Sequence, residues 1–198
     1  MTAQLTQPPK QRATDQRIIL QGTWEKFKLL QQASEDSPGV RLAYYSETIE
    51  ILMPGEDHEF FAHIIGYLLT TFLLDMSIDF KPTGSKNQDK EGTASAQADQ
   101  SYCIGGSKPI PDLSIEVIFT SGINKLARYQ ALGVPEVWFW QDGVLTLYHL
   151  RPTGYEQIDR SELAGLNQLD IDLLKRCILM AETNFSGAVQ TLRQSSDK

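Results

Sequence analysis

One carboxylate constrains this chain more than any other residue. Glu116 lies between Ile115 and Val117 in the run Asp112-Leu113-Ser114-Ile115-Glu116-Val117-Ile118-Phe119. The run has the β-branched and apolar density of a buried strand, and a buried carboxylate without a partner is costly. The neighbouring segments should therefore bring it one. Upstream, a shorter polar-to-apolar run carries Asp99, and Gly105-Gly106 with Pro109 and Pro111 marks a turn between the two runs. Downstream, Thr120-Ser121-Gly122 breaks the strand, and Ile123 to Leu132 has helical spacing with Lys125 in its first turns. Residues 99–129 thus read as strand, turn, strand and helix, with an acid on each strand.

The rest of the chain supplies a frame for this unit. Thr23 is placed to cap a helix to about Ser34, with Trp24, Phe27, Leu30 and Ala33 as its apolar stripe. Arg41–Tyr45 and Thr48–Met53 read as a hairpin around Ser46-Glu47. From Glu56 to Ser77, apolar residues from Phe60 to Met76 recur at i, i+1, i+4 and i+5, the wide stripe of a long helix. A short strand is expected over Ile78–Thr83. Gly84–Gln97, polar and small throughout, reads as a mobile loop. Asp142-Gly143 between Glu136–Trp140 and Val144–Leu150 is the strongest hairpin signal in the chain. Gly154–Ile158 is a weaker third strand, and helices are expected over Leu169–Glu182 and Asn184–Arg193. Strands mixed with helices, one of them between the strands at Asp112 and Glu136, indicate an α/β mixed sheet flanked by helices.

The length, 198 residues, suits one domain. We divide it into a flexible polar arm (1–21), a central domain (22–160) and a C-terminal helical segment packed on or extending that domain (161–198). No run approaches the roughly 18 apolar residues of a membrane span, and the N-terminus lacks a signal-peptide core. Cys103 and Cys177 read as ordinary thiols of a cytoplasmic protein. The net charge of −7 opposes a wide electrostatic footprint for nucleic acid, although a local basic groove is compatible with it.

Asp99 and Glu116, on consecutive strands, can approach each other across a sheet. Converging carboxylates make a hard oxygen site suited to Mg²⁺ or Mn²⁺. Lys125 could then hold a water or neutralise phosphate charge, and Glu59 could supply a further acid. On these residues alone, structural ion pairs are the plainer reading. His58 reads as an anchor for the helix start, with phosphate contact or orientation of Glu59 as the alternative. His63 reads as part of a solvated face, and Tyr129, Trp138 and Trp140 as core aromatics.

A wider pattern bears on the choice. Pro111-Asp112-Leu113-x-x-Glu116-Val117, then Lys125-x-x-x-Tyr129-x-x-x-Gly133-Val134-x-Glu136-x-Trp138, resembles the Uma2-like restriction endonuclease family, abundant in cyanobacteria and part of the PD-(D/E)XK nuclease superfamily. Arg41-Leu42-x-Tyr44, Glu50-Ile51-x-Met53-Pro54-Gly55-x-x-His58-Glu59 and Asp99-x-x-x-x-Ile104 are similar to it as well, so the resemblance covers roughly residues 22 to 160. It implies a restriction-endonuclease-like core. It also implies that Asp99 and Glu116 are metal-binding acids, with the Val117 carbonyl a further candidate ligand, and that Glu59 is the acid of the first core helix. Ala98 stands where a proline usually precedes the first aspartate. Ile118 stands where the simple pattern has its catalytic lysine, and Lys125 is the matching position of a lysine migrated to the next helix. Asp112 is either a ligand or only the start of its strand.

The expectation is a Mg²⁺- or Mn²⁺-dependent endonuclease acting on DNA, plausibly as a homodimer, with Asp99, Glu116 and Lys125 catalytic and Asp99, Glu116, Glu59 and Asp112 as candidate metal ligands. Two rivals stand beside it: a catalytically silent binding module of the same fold, and a phosphoesterase for another nucleic acid or a nucleotide.

Overall fold

The computed structural model describes residues 14–119 and 125–196. In chain order it contains β1 (Gln16–Gln21), α1 (Trp24–Ala33), β2 (Arg41–Tyr45), β3 (Thr48–Met53), α2 (Glu56–Asp75), β4 (Phe80–Pro82), β5 (Asn87–Lys90), β6 (Ala94–Gln97), β7 (Gln100–Ile104) and β8 (Leu113–Val117). There follow α3 (Lys125–Leu132), β9 (Glu136–Gln141), β10 (Val144–Arg151), β11 (Gly154–Ile158), a 3-10 turn (Leu166–Gln168), α4 (Ile171–Ala181) and α5 (Phe185–Ser196). The strands form two sheets. One is antiparallel, in the order β1-β3-β2-β6-β5, and the other runs β11-β10-β9-β8-β7-β4. In the second sheet only β8 and β9 are parallel, so the chain must cross over between them, and α3 lies in that crossover.

Side-chain alternation along β8 sorts the molecule into layers. All five of its residues are buried. Leu113, Ile115 and Val117 join the main core with Ile65, Leu68, Leu69 and Leu73 of α2. That core also takes Trp138 and Trp140 of β9, Leu174 and Ile178 of α4, and Leu192 of α5. Residues of all three of these helices therefore share one apolar body with the six-stranded sheet. Ser114 and Glu116 have the opposite parity, and there the packing is polar or small. The Gln88 side chain donates to the Ser114 hydroxyl (3.0 Å), and Tyr129 and Leu132 of α3 lie against Ala94, Ala96, Ala98 and Val137. A third cluster, Trp24, Phe27, Tyr44 and Ile49, fixes α1 on the antiparallel sheet. Thr23 caps α1 by accepting from the Lys26 N–H (3.4 Å).

Two segments differ from the sequence reading. Gly84–Gln97 contains the β5–β6 hairpin, paired from Asn87↔Gln97 to Lys90↔Ala94. Its alanines and serine are small because α3 crosses close above them, and Ala94, Ser95 and Ala96 are fully buried. A composition that reads as loop is here the condition for close helix–strand approach. Residues 16–21, assigned to the N-terminal arm, form β1 along β3, with Arg17↔Leu52 and Leu20↔Ile49 in register. Ile18 and Ile19 remain 46% and 44% exposed, so this edge strand lacks the alternation that would mark it in the sequence. Residues 1–13 of that arm lie outside the described residues. No helix among the described residues is long and apolar enough to cross a membrane.

Candidate functional site

The antiparallel register of β7 with β8 sets Gln100 opposite Ile115. Continued by one residue, it sets Asp99 opposite Glu116. The Asp99 N–H donates to the Ile115 carbonyl (3.0 Å), and the Val117 N–H donates to Asp99 Oδ2 (2.6 Å). Both acids thus reach the end of the ladder nearest the start of α3.

Glu116 is met by three side chains of α3, which the i, i+3, i+4 spacing puts on one helix face. Lys125 Nζ donates to Oε2 at 2.5 Å, the Tyr129 hydroxyl donates to Oε1, and Arg128 Nη2 stands 3.6 Å from Oε1. Burial pushes the Glu116 carboxyl pKa up, but the Lys125 and Arg128 charges outweigh it and hold the group below the usual carboxylate range. Burial and the adjacent carboxylate push the Tyr129 phenol well above its ordinary value, which keeps it a donor.

Asp99 is satisfied from the other side. Its Oδ1 forms an ion pair with Arg41 Nη1 and lies 2.9 Å from His58 Nε2. Arg41 Nη2 in turn binds Glu59 Oε1 (2.7 Å), so one guanidinium bridges a buried acid and a half-exposed one. The second nitrogen of His58, Nδ1, lies 2.9 Å from Asp15 Oδ2. Asp15 Oδ1 accepts the N–H of Gly55 (2.8 Å), the residue before α2, which has no side chain of its own to cap that helix. Burial, with the nearby Arg41 and Lys125 charges, holds the His58 pKa below its ordinary value against the raising effect of the Asp15 carboxylate. Glu50 completes the surroundings by joining Arg17 (2.7 Å) to Arg128 (2.9 Å). A narrow crevice opens here, lined by Asp15, Arg17, Glu50, His58, Val117 and Lys125 among others.

Of the residues singled out in the sequence, Asp99, Glu116 and Lys125 therefore lie in one network, and Glu59 joins it at the rim through Arg41. Asp112 does not join it. It precedes β8 four residues before Glu116, roughly 13 Å along a strand, and its carboxylate is taken by the Ile104 N–H (2.8 Å) and by Lys108 (2.7 Å). It locks the β7–β8 turn. Tyr129 is buried as expected, but it also donates to Glu116, and His58 both anchors its helix and faces Asp99. The reading of the residues one by one missed Asp15, Arg17, Glu50 and Arg128. Glu50 carried a signal of the kind Glu116 gave, an acid between Ile49 and Ile51 in a strand. Arg128 carried a weaker one, three residues after Lys125.

Asp99, Glu116 and Glu59 are hard oxygen donors, which in chemistry fit a divalent ion such as Mg²⁺ or Mn²⁺. Their positive partners are now Arg41, Lys125 and Arg128. Among the described residues no group of three or more His, Cys, Asp or Glu side chains is gathered so that it could hold a metal ion. No curated protein matches the chain. Residues 24–175 match the family model Uma2, described as "Putative restriction endonuclease". That span includes Glu59, Asp99, Glu116 and Lys125 and leaves out Asp15 and Arg17. Because the match covers well over half of the sequence, the chain belongs to the Uma2 family.

Proposed function

We propose that the protein is a divalent-metal-dependent endonuclease that hydrolyses phosphodiester bonds of DNA. The observation that carries this reading is the juxtaposition of Asp99 and Glu116 across the β7–β8 ladder, with the Lys125 ammonium on Glu116. Membership of a family described as "Putative restriction endonuclease" supports the substrate class. In this reading Asp99 and Glu116 hold Mg²⁺ or Mn²⁺, and Glu59 supports the ion's water shell. The ion supplies positive charge to the scissile phosphate and makes a bound water more acidic.

The chain's own groups do the rest. The Val117 N–H fixes one oxygen of Asp99, so the other is presented in a single orientation. Tyr129 and Arg128 do the same for Glu116. Lys125 lines the crevice with a positive charge, where it can hold the attacking water and neutralise charge on the phosphoryl oxygens. Arg41, once released from Asp99, is a second cation for the phosphate backbone.

A silent binding module has one observation in its favour, the neutralisation of both acids by protein cations. Calorimetric titration with Mg²⁺ and Mn²⁺ separates the two readings, using the wild type and the double variant Asp99→Asn, Glu116→Gln. Binding that is lost in the variant, together with metal-dependent cleavage of plasmid DNA, is the expected result. A folded wild type that binds no metal would overturn the nuclease reading.

A further inference from the structure

We propose that strand β1 is a strap across the crevice, which swings off β3 to admit a phosphodiester and then closes again. The inference deepens the nuclease reading by naming what governs access to the site. It rests on that reading only for the identity of the guest.

The crevice is too small as it stands. Its free space is about 10 Å³, room for about one water molecule, whereas a phosphodiester brings a phosphate and two sugars. One wall therefore has to move. The lining comes from Asp15 and Arg17 at the start of β1, from Glu50 of β3, from His58 and Lys125, and from the end of β8. The other walls are anchored: β3 has β2 on its far side, and α2 and β8 build the main core. Strand β1 is an edge strand, paired on one side, and two of its isoleucines are exposed. It also precedes the family-matched residues, which begin at 24.

Charge lets β1 leave without harm to what stays. Asp15 and Arg17 are of opposite sign and pass into water together. Behind them Glu50 keeps Arg128 at 2.9 Å, and His58 keeps Asp99 at 2.9 Å with Arg41 beside it. No buried charge is orphaned, so the large cost of breaking a buried pair does not arise. The Gly55 N–H, now bonded to Asp15, turns to solvent at the start of α2. The apolar burial lost on the strap is mainly that of Leu20, which packs on the third cluster.

The ladder gives this motion a signature. The Gly22 N–H donates to the Glu47 carbonyl (2.9 Å) in continuation of the β1–β3 register. Antiparallel bonding alternates along a strand. Even-numbered residues of β1 are therefore held to odd-numbered residues of β3, and the even-numbered residues of β3 bond to β2 instead.

Amide hydrogen exchange of the full chain, resolved by nuclear magnetic resonance, tests the motion without substrate. The Ile18, Leu20, Ile49 and Ile51 amides should exchange as one set, about tenfold or more faster than those of Glu50 and Leu52. Equal protection of the two sets overturns the proposal. A reversible lock tests the gate. Gln16 and Met53 face each other in register, at the Cα spacing of about 5.5 Å that suits a disulfide. Gln16→Cys with Met53→Cys can therefore pin β1, and the native Cys103 and Cys177 are buried. DNA cleavage with Mn²⁺ should fall by about tenfold or more in the oxidised variant and return on reduction. If the oxidised form cleaves like the reduced one, β1 is not a gate and the nuclease reading stands. A wild type that cleaves no DNA overturns the nuclease reading, and exchange then decides the motion of β1 by itself.

Discussion

Two buried glutamates on neighbouring parallel strands of one sheet show how far burial alone goes in marking a functional residue. Glu116 on β8 is 2% exposed and Glu136 on β9 is 0% exposed. Glu136 accepts from Trp138 Nε1 (3.0 Å), Ser161 Oγ (2.8 Å) and the Glu162 N–H (2.6 Å), with His149 Nδ1 at 3.1 Å. These donors tie β9 and β10 to the segment that leads into α4, and among the described residues no lysine or arginine is paired with Glu136. Glu116 is held by an ammonium, a guanidinium and a phenol on one helix, next to a crevice and opposite a second acid. Equal burial thus serves two ends. Mostly neutral donors from several segments make a structural tie, whereas the cations of one helix hold a charged carboxylate beside a crevice.

The largest expected effect comes from breaking the second arrangement. Glu116→Gln should lower DNA cleavage by about 10²- to 10³-fold, the range for losing one preorganised electrostatic partner. Glu136→Gln should leave the specific rate of folded protein within a few-fold, and parallel cleavage assays with Mn²⁺ compare the two. Glu136→Ala strands an indole N–H, a hydroxyl and a backbone N–H, and should cost about 3 kcal/mol by urea denaturation.

Acid sharpens the contrast further. The Glu116 pKa lies below its ordinary value in the folded protein, so the stability it contributes is complete above that ordinary value, near 4.5. It is lost as the pH falls below 4.5 toward the lowered value. Denaturation midpoints in that window should therefore fall more steeply for wild type than for Glu116→Gln. The smallest effect lies outside both clusters. Ser46 and Glu47 turn the β2–β3 hairpin with φ of 48° and 56°, which side chains disfavour. Glu47→Gly should raise stability by up to about 1 kcal/mol, with cleavage unchanged.

The elements that could be read from the sequence carry their own period or turn chemistry. The wide stripe of α2 and the Asp142-Gly143 turn, with φ of 50° and 79°, need no tertiary information. Strands β1, β5 and β6 do need it. Their residues are exposed at an edge or shrunk to fit beneath α3, and neither condition is visible along the chain. The site divides in the same way. Glu116 was legible because an acid inside a strand is a local anomaly, and Asp99 and Lys125 because the family pattern marks their positions. Asp15 and Arg17 gain meaning only when β1 pairs with β3, and Arg41 only when β2 brings it to the start of α2.

The ion pairs behind the crevice form a row of alternating sign: Arg17, Glu50, Arg128, Glu116 and Lys125. Removing Glu50 or Glu116 alone leaves two of its cations without the carboxylate between them, whereas removing neighbours of opposite sign, such as Glu50 with Arg128, leaves the net charge of the row unchanged. Lineages that keep this row should therefore drift in linked pairs, so that Glu50 and Arg128 are exchanged together or stay. Variation at these positions would then be correlated even where neither residue touches a substrate.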